Sequence, residues 1–189
     1  MKARKFAFVA CGIAAALGGA IPFGYALGFR INYTHSAPSG LYQVKKTDEL
    51  KRGQLVEVCP PDQAVIHLMG QRGYLMRGLW GNCEGTNITP LLKPVSAVPG
   101  DTVTLEPGKP VKVNGTALPN TEAMPAVPAF PAGSYRVQSG ELWVFSSYSR
   151  GSVDSRYFGP VRLSNVVGQA TPIFIKGDIS KTYLGVVRQ

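Results

Sequence analysis

Ser36, Lys93 and Ser152 are the side chains whose types and settings could do nucleophilic and acid–base chemistry in this sequence. Ser36 stands in Asn32-Tyr33-Thr34-His35-Ser36-Ala37-Pro38-Ser39-Gly40-Leu41-Tyr42, six residues after Arg30. Held by the Ala-Pro that follows, its hydroxyl is a candidate nucleophile; a Ser, Pro and Gly cluster also reads simply as a turn. Lys93 is the only charged residue between Glu84 and Asp101. Embedded in an apolar strand with no local carboxylate, its ammonium would be desolvated and its pKa drawn from about 10.4 toward neutrality, leaving an amine able to act as a base. The alternative is a lysine that snorkels its charge out of an edge strand. The third segment, Ser146 to Val161, crowds polar and turn residues after a strong strand. There Asp154 and Arg156 can pair and brace the loop while Ser152 holds an amine; the alternative is a surface loop with a weak ion pair. A serine–histidine–aspartate triad fits less well. His35 adjoins Ser36 and in an extended chain points the opposite way, which leaves His67 as the other candidate.

The elements that must position these groups read as strands. Gln54-Leu55-Val56-Glu57-Val58, Asp101 to Leu105, Val111 to Asn114 and Glu141 to Phe145 alternate with period two, and 161–167 and 171–175 add two late strands. Pro99-Gly100-Asp101, Glu106-Pro107-Gly108, Asn114-Gly115 and Ser139-Gly140 mark close-spaced turns. That rhythm predicts a mainly β domain of curved antiparallel sheets or a small barrel, without alternating helices and parallel strands. Residues 118–132, with Pro119, Pro125, Pro128 and Pro131, predict an excursion between two strands that serves as a cap or lid.

Composition narrows the class. The chain has 189 residues, and its 20 Lys and Arg against 11 Asp and Glu give a formal charge of +9. That length allows one medium domain and a small appendage. The cations are scattered, without the dense basic run of a nucleic-acid arm, so no nucleic-acid partner is expected. Glycine and proline recur too often for long helical bundles, yet among alternating apolar residues and without a collagen-like period.

The amino end sets the compartment. Met1 to Lys5 carry Lys2, Arg4 and Lys5 as a cytoplasmic flank; residues 6–29 then run without a charge until Arg30. This predicts a transmembrane helix, with a cleavable export signal as the competing reading. Residues 30–189 then form the exported domain. Cys11 falls within the apolar stretch, while Cys59 and Cys83 lie 24 positions apart in the soluble part with no CxxC spacing or histidine cluster. No metal site is expected. A disulfide between them is the economical reading and agrees with an exported domain; two buried free thiols are the alternative.

Taken in order, the three segments resemble the type I signal peptidase superfamily, most closely its conjugative-transfer, TraF-type branch. Asn32 to Tyr42 resembles the serine box Ser-x-Pro-x-Gly-Leu-Tyr, Lys93 precedes Pro99-Gly100-Asp101 as in the lysine box, and Ser152-x-Asp-Ser-Arg-Tyr-Phe-Gly-Pro-Val resembles the carboxy-terminal box. The resemblance implies Ser36 as nucleophile, Lys93 as general base and Ser152 as the hydroxyl that orients the amine. It further implies Thr34 and the Ser36 N–H as oxyanion donors, with Asp154 and Arg156 as supports and no cofactor. Two departures stand out: Ser146-Ser147-Tyr148-Ser149 replaces an acidic, asparagine-containing turn, and Pro94 stands where a basic residue often follows the lysine. What the resemblance implies is a serine endopeptidase anchored in the inner membrane with its domain in the periplasm. Its substrate would be a pilin precursor or another signal-peptide-bearing protein, with cyclisation through the acyl-enzyme as a variant outcome. A general signal peptidase and a non-catalytic anchored β module in a pilus or secretion apparatus are the alternatives.

Overall fold

The computed structural model describes residues 18–47, 49–78 and 81–186. The expected cytoplasmic flank 1–5, residues 6–17 of the expected anchor and Cys11 lie outside the described residues. Residues 18–26 are helical (α1), and among the described residues no helix is long and apolar enough to cross a membrane. The chain then enters a mainly β body: β1 Phe29–Asn32, β2 Ser39–Lys45, β3 Leu55–Val58, helix α2 Ala64–Gln71, β4 Leu91–Ala97, β5 Thr102–Leu105, β6 Lys112–Val113, β7 Thr116–Ala117, β8 Gly133–Arg136, β9 Glu141–Val144, the short helix α3 Ser155–Phe158, β10 Val161–Arg162 and β11 Val166–Lys176.

Every strand pairing is antiparallel. A seven-stranded sheet runs β1-β2-β11-β3-β4-β9-β10, and a four-stranded sheet runs β7-β6-β5-β8. The first packs Val56, Val58, Ile66, Met69, Val144 and Phe158 into one core, the second Val103, Val113, Trp143 and Phe145 into another. On the opposite face of the β2–β3 region Tyr42, Val44 and Leu55 form a third cluster with Leu92 packed against it.

The late strands divide differently from the sequence expectation. The break falls at the 3₁₀ turn Leu163–Asn165, and Val166 to Lys176 is a single strand. It bridges β2 and β3, and register shifts at Val166/Gly168 and Pro172/Phe174 absorb a glycine and a proline. Pro172 is tolerated because β11 has β3 beside it only as far as Gln169. Residues 118–132 do form an irregular excursion between β7 and β8. It is packed down, with Leu118, Thr121 and Val127 buried, and its backbone carbonyls accept from Arg156.

Two local devices place the site strands. Gly40 has φ +149°, and a Cβ there would sit 2.2 Å from the Phe174 carbonyl oxygen, so glycine is what lets β11 lie against the chain leaving Ser36. Past β4, Asp101 accepts from the Val98 N–H, from Arg52 and from Asn114, which pins the turn that ends the Lys93 strand.

Candidate active site

Ser36 sits in the loop between β1 and β2, which Asn32 folds back upon itself. The Asn32 Nδ2 donates to the carbonyls of Ala37 and Pro38, each at 3.0 Å, and the Tyr42 hydroxyl donates to Pro38 O at 2.7 Å. Ser36 is buried, and its own carbonyl accepts from the Ser146 hydroxyl at the end of β9. Ser146 N–H in turn donates to Asp154 Oδ2 at 3.2 Å. The Ser36 backbone is thereby tied to the Asp154–Arg156 cluster.

Lys93 lies in β4 beside Val56 of β3 and is 2% exposed. Its Nζ donates to two hydroxyls, Ser36 Oγ and, at 3.0 Å, Ser152 Oγ. Among the described residues no carboxylate is bonded to it. Burial drives its pKa down to about 7, while Asp154 pulls upward and Arg156 pushes further down. Lys93 therefore does not snorkel. An amine that is neutral near physiological pH and in contact with a serine hydroxyl can take that hydroxyl's proton.

Asp154 caps α3 by accepting from Arg156 N–H, and its carboxylate grips the guanidinium of Arg156 at 2.7 and 2.8 Å. Arg156 also donates to the carbonyls of Ser152, Glu122 and Arg150. Burial is the largest single influence and would lower the arginine's pKa, but the charge and hydrogen bonds of Asp154, with Tyr157 and Glu122 adding to them, together hold Arg156 above its ordinary value. The pair fixes the Ser152 backbone, and Ser152 presents its hydroxyl to Lys93.

Thr34 is exposed, and its hydroxyl donates to Asn32 Oδ1 at 2.7 Å. The Asn32 amide cannot be turned round without losing both of its loop bonds, so in this conformation the Thr34 proton is engaged. The Ser36 backbone N–H has no hydrogen-bond acceptor among the described residues. His35 is exposed, and His67 is held 2.6 Å from Asp62 on an exposed face of α2. Neither histidine is bonded to Ser36. Cys59 and Cys83 form a disulfide, closing the segment that carries α2 and one wall of the cleft. That cleft, of about 320 Å³, runs up to Ser36 and Lys93 between Ile31 on one side and Leu75 and Leu91 on the other. Among the described residues no cluster of His, Cys, Asp or Glu could hold a metal ion.

A family model described as signal peptidase, peptidase S26, matches residues 2–175. The chain belongs to the peptidase S26 signal peptidase family. Membership implies a serine peptidase acting on signal-peptide-bearing substrates. The conjugal transfer protein TraF of Agrobacterium fabrum (strain C58) is 38% identical over 164 residues, covering 84% of this chain and 89% of that relative. A plasmid transfer protein TraF of Escherichia coli is 33% identical over 175 residues, covering 89% and 94% respectively. Among solved structures, a signal peptidase I of Enterococcus faecalis V583 gives a TM-score of 0.38 at 17% identity, covering 66% of this chain and 98% of that one, too low a likeness to carry an argument.

Against that family background, sequence reasoning missed two residues that shape the site. Asn32 latches the serine loop, and Ser146 bonds the Ser36 carbonyl from 110 positions away. Asn32 carried a local signal, since a short polar side chain before a tight turn commonly bonds backbone a few residues on. Ser146 carried none, because its partner is set by the packing of β9 against the serine loop.

Proposed function

We propose that this protein is a membrane-associated serine endopeptidase of conjugative transfer, with Ser36 as nucleophile and Lys93 as general base. The observation that carries this reading is a fully buried lysine amine whose hydrogen-bond partners are two serine hydroxyls. With Nζ neutral, the Ser36 contact reverses, and the hydroxyl donates to the lone pair. As Oγ attacks the scissile carbonyl carbon, its proton passes to Nζ and a tetrahedral oxyanion forms. The unpartnered Ser36 N–H is one donor for that oxygen; the Thr34 hydroxyl becomes a second by rotating away from Asn32. Collapse expels the leaving amine, which takes the proton from Nζ and leaves an ester on Ser36. Ser152 keeps the amine aimed throughout.

The same base then serves deacylation. Water gives a linear product; an amine at the substrate's own amino terminus would give a cyclic one. Substrate entry by strand addition is supported by β4, which pairs with β9 only at Val95 and Ala97, leaving the 90–93 edge open on that side. The relatives named for conjugal and plasmid transfer support a pilin precursor as substrate. A membrane setting with the domain in the periplasm is supported by exposed Ile21, Phe23, Leu27, Ile31 and Phe174. Of these, Ile31 and Phe174 both pair in register with Leu41, on either side of β2.

The test is to incubate the full-length protein in detergent with a candidate pilin precursor, wild type beside Ser36→Ala and Lys93→Ala, and to measure intact masses. Cleavage by wild type alone is expected, and a product one water lighter than the linear mature chain identifies cyclisation. Equal processing by all three proteins would overturn the roles given to Ser36 and Lys93, and processing by none would overturn the proposal in favour of a non-catalytic β module.

A further inference from the structure

The cleft that reaches Ser36 and Lys93 is also lined by a charged pair that the reaction above does not use. Glu57 of β3 is 5% exposed. It pairs in register with Leu92 of β4, so both side chains occupy the face opposite to Lys93. Arg30 of β1 pairs in register with Tyr42, and Tyr42 belongs to the cluster on that same opposite face. Strands β1 to β4 thus bring a cation and an anion together between the two edges that flank the cleft, and both line it.

The pair is incompletely satisfied. Both carboxylate oxygens of Glu57 accept from a single donor, Arg30 Nε, at 2.9 and 3.2 Å, although a carboxylate offers about four acceptor sites. Arg30 commits Nη1 to the carbonyls of Tyr25 and Phe29, while Nη2 has no hydrogen bond among the described residues. Burial pushes the Glu57 carboxyl above its ordinary pKa, with Arg30 opposing. Arg30 also stacks on the Tyr25 ring at 3.6 Å, which fastens α1 to the sheet. Fastening alone calls for no acid that lines the cleft.

A strand laid on the open edge of β4 turns alternate side chains to opposite faces. One set meets Leu75, Leu91 and Val153; the other meets Leu92 and the Arg30–Glu57 pair. We propose that Arg30 and Glu57 form a specificity subsite for an uncharged polar side chain of the substrate, a hydroxyl or a carboxamide, on this second face. Such a group donates to Glu57 and accepts from Arg30 at once. A charged side chain would bring an unmatched charge beside a neutral buried pair, and an apolar one would strip water from Glu57 without replacing its donors. This inference rests on the proteolytic reading above.

The test uses full-length protein in detergent and fluorogenic peptides spanning the cleavage junction of the candidate pilin precursor. Each position is replaced in turn by Ser, Gln, Ala, Val, Lys and Asp. The readout is the ratio of kcat/KM values within one enzyme, which cancels differences in folded fraction. Wild type should show a position where Gln or Ser exceeds both Ala and Val by about tenfold or more, and exceeds Lys and Asp. Glu57→Gln should shrink that preference, and the double variant Arg30→Met/Glu57→Leu should turn it toward apolar side chains. No polar preference in wild type, or one that survives in Glu57→Gln, would leave the pair as a tether only and overturn the inference. If wild type and Ser36→Ala alike cleave nothing, the proteolytic reading itself fails and the subsite falls with it.

Discussion

Lys93 and Arg156 are both cations, each 2% exposed, and both touch Ser152, Lys93 through the hydroxyl and Arg156 through the carbonyl. Around Arg156 the fold supplies a carboxylate and four residues' carbonyls. Around Lys93, among the described residues, the hydrogen-bond partners are hydroxyls alone. Burial with compensation gives a permanent charge that braces a loop, whereas burial without it gives an amine that surrenders its proton near neutrality. One short segment, Ser152 to Arg156, maintains both conditions because Asp154 spends its hydrogen bonds on Arg156 and on backbone N–H groups.

The sharpest way to break this contrast is to make the two cations alike. Lys93→Arg places a guanidinium that cannot deprotonate beside Ser36, so cleavage should fall by about 10²- to 10⁴-fold, read as product formation by intact mass. Removing the compensation from the other cation comes next. Asp154→Ala leaves Arg156 buried and unpaired and should cost about 3–5 kcal/mol of stability, measured by denaturant unfolding.

Lys93→Met should produce the opposite sign, an inactive protein that is more stable than wild type at neutral pH by about 1–4 kcal/mol. Its pH dependence is specific. The Lys93 pKa is lowered to about 7 in the folded state, so from about pH 7 up to the ordinary lysine value the unfolded chain holds a proton that the folded one lacks. Wild-type stability rises with pH through that window. The advantage of Lys93→Met should therefore be full below about pH 7 and gone above about pH 10.5.

Smaller effects sharpen the comparison. Cleavage by wild type should rise about tenfold per pH unit below pH 7 and level off above it, as the amine becomes neutral. Because Asp154 pulls the Lys93 pKa upward, Asp154→Asn should move that limb to lower pH in whatever fraction remains folded. A Ser152→Ala variant should keep the fold and lose about tenfold in kcat with little change in KM, since one hydrogen bond orienting the amine is removed.

Much of the site was legible because its residues declare themselves locally. Lys93 stands alone in an uncharged stretch, and Ser152, Asp154 and Arg156 share one turn whose pairing needs only short-range geometry. Period-two alternation likewise located β3, β5, β6 and β9. It did not mark β1, whose Phe29 closes the charge-free run, nor β2, which begins within the Ser-Pro-Gly segment, nor α2, whose eight residues are too few to show a helical period. The late strands were divided at the wrong place because two register shifts hide the continuity of β11 from any fixed period.

By itself the sequence determined which chemical groups exist, that Lys93 would be costly to charge if buried, and that the chain would pair antiparallel strands across tight turns. Only the tertiary structure decided that Lys93 meets Ser36 across 57 positions and that Ser152 arrives across 59. It also decided that Ser146 holds the Ser36 carbonyl and that Glu57 shares the cleft with Arg30. The physical reason is register. A one-residue slip of β3 or β4 would send Glu57 and Lys93 to exchanged faces, and what fixes that register is the packing of two cores together with the pinned turn at Asp101, contacts that local residue order does not contain.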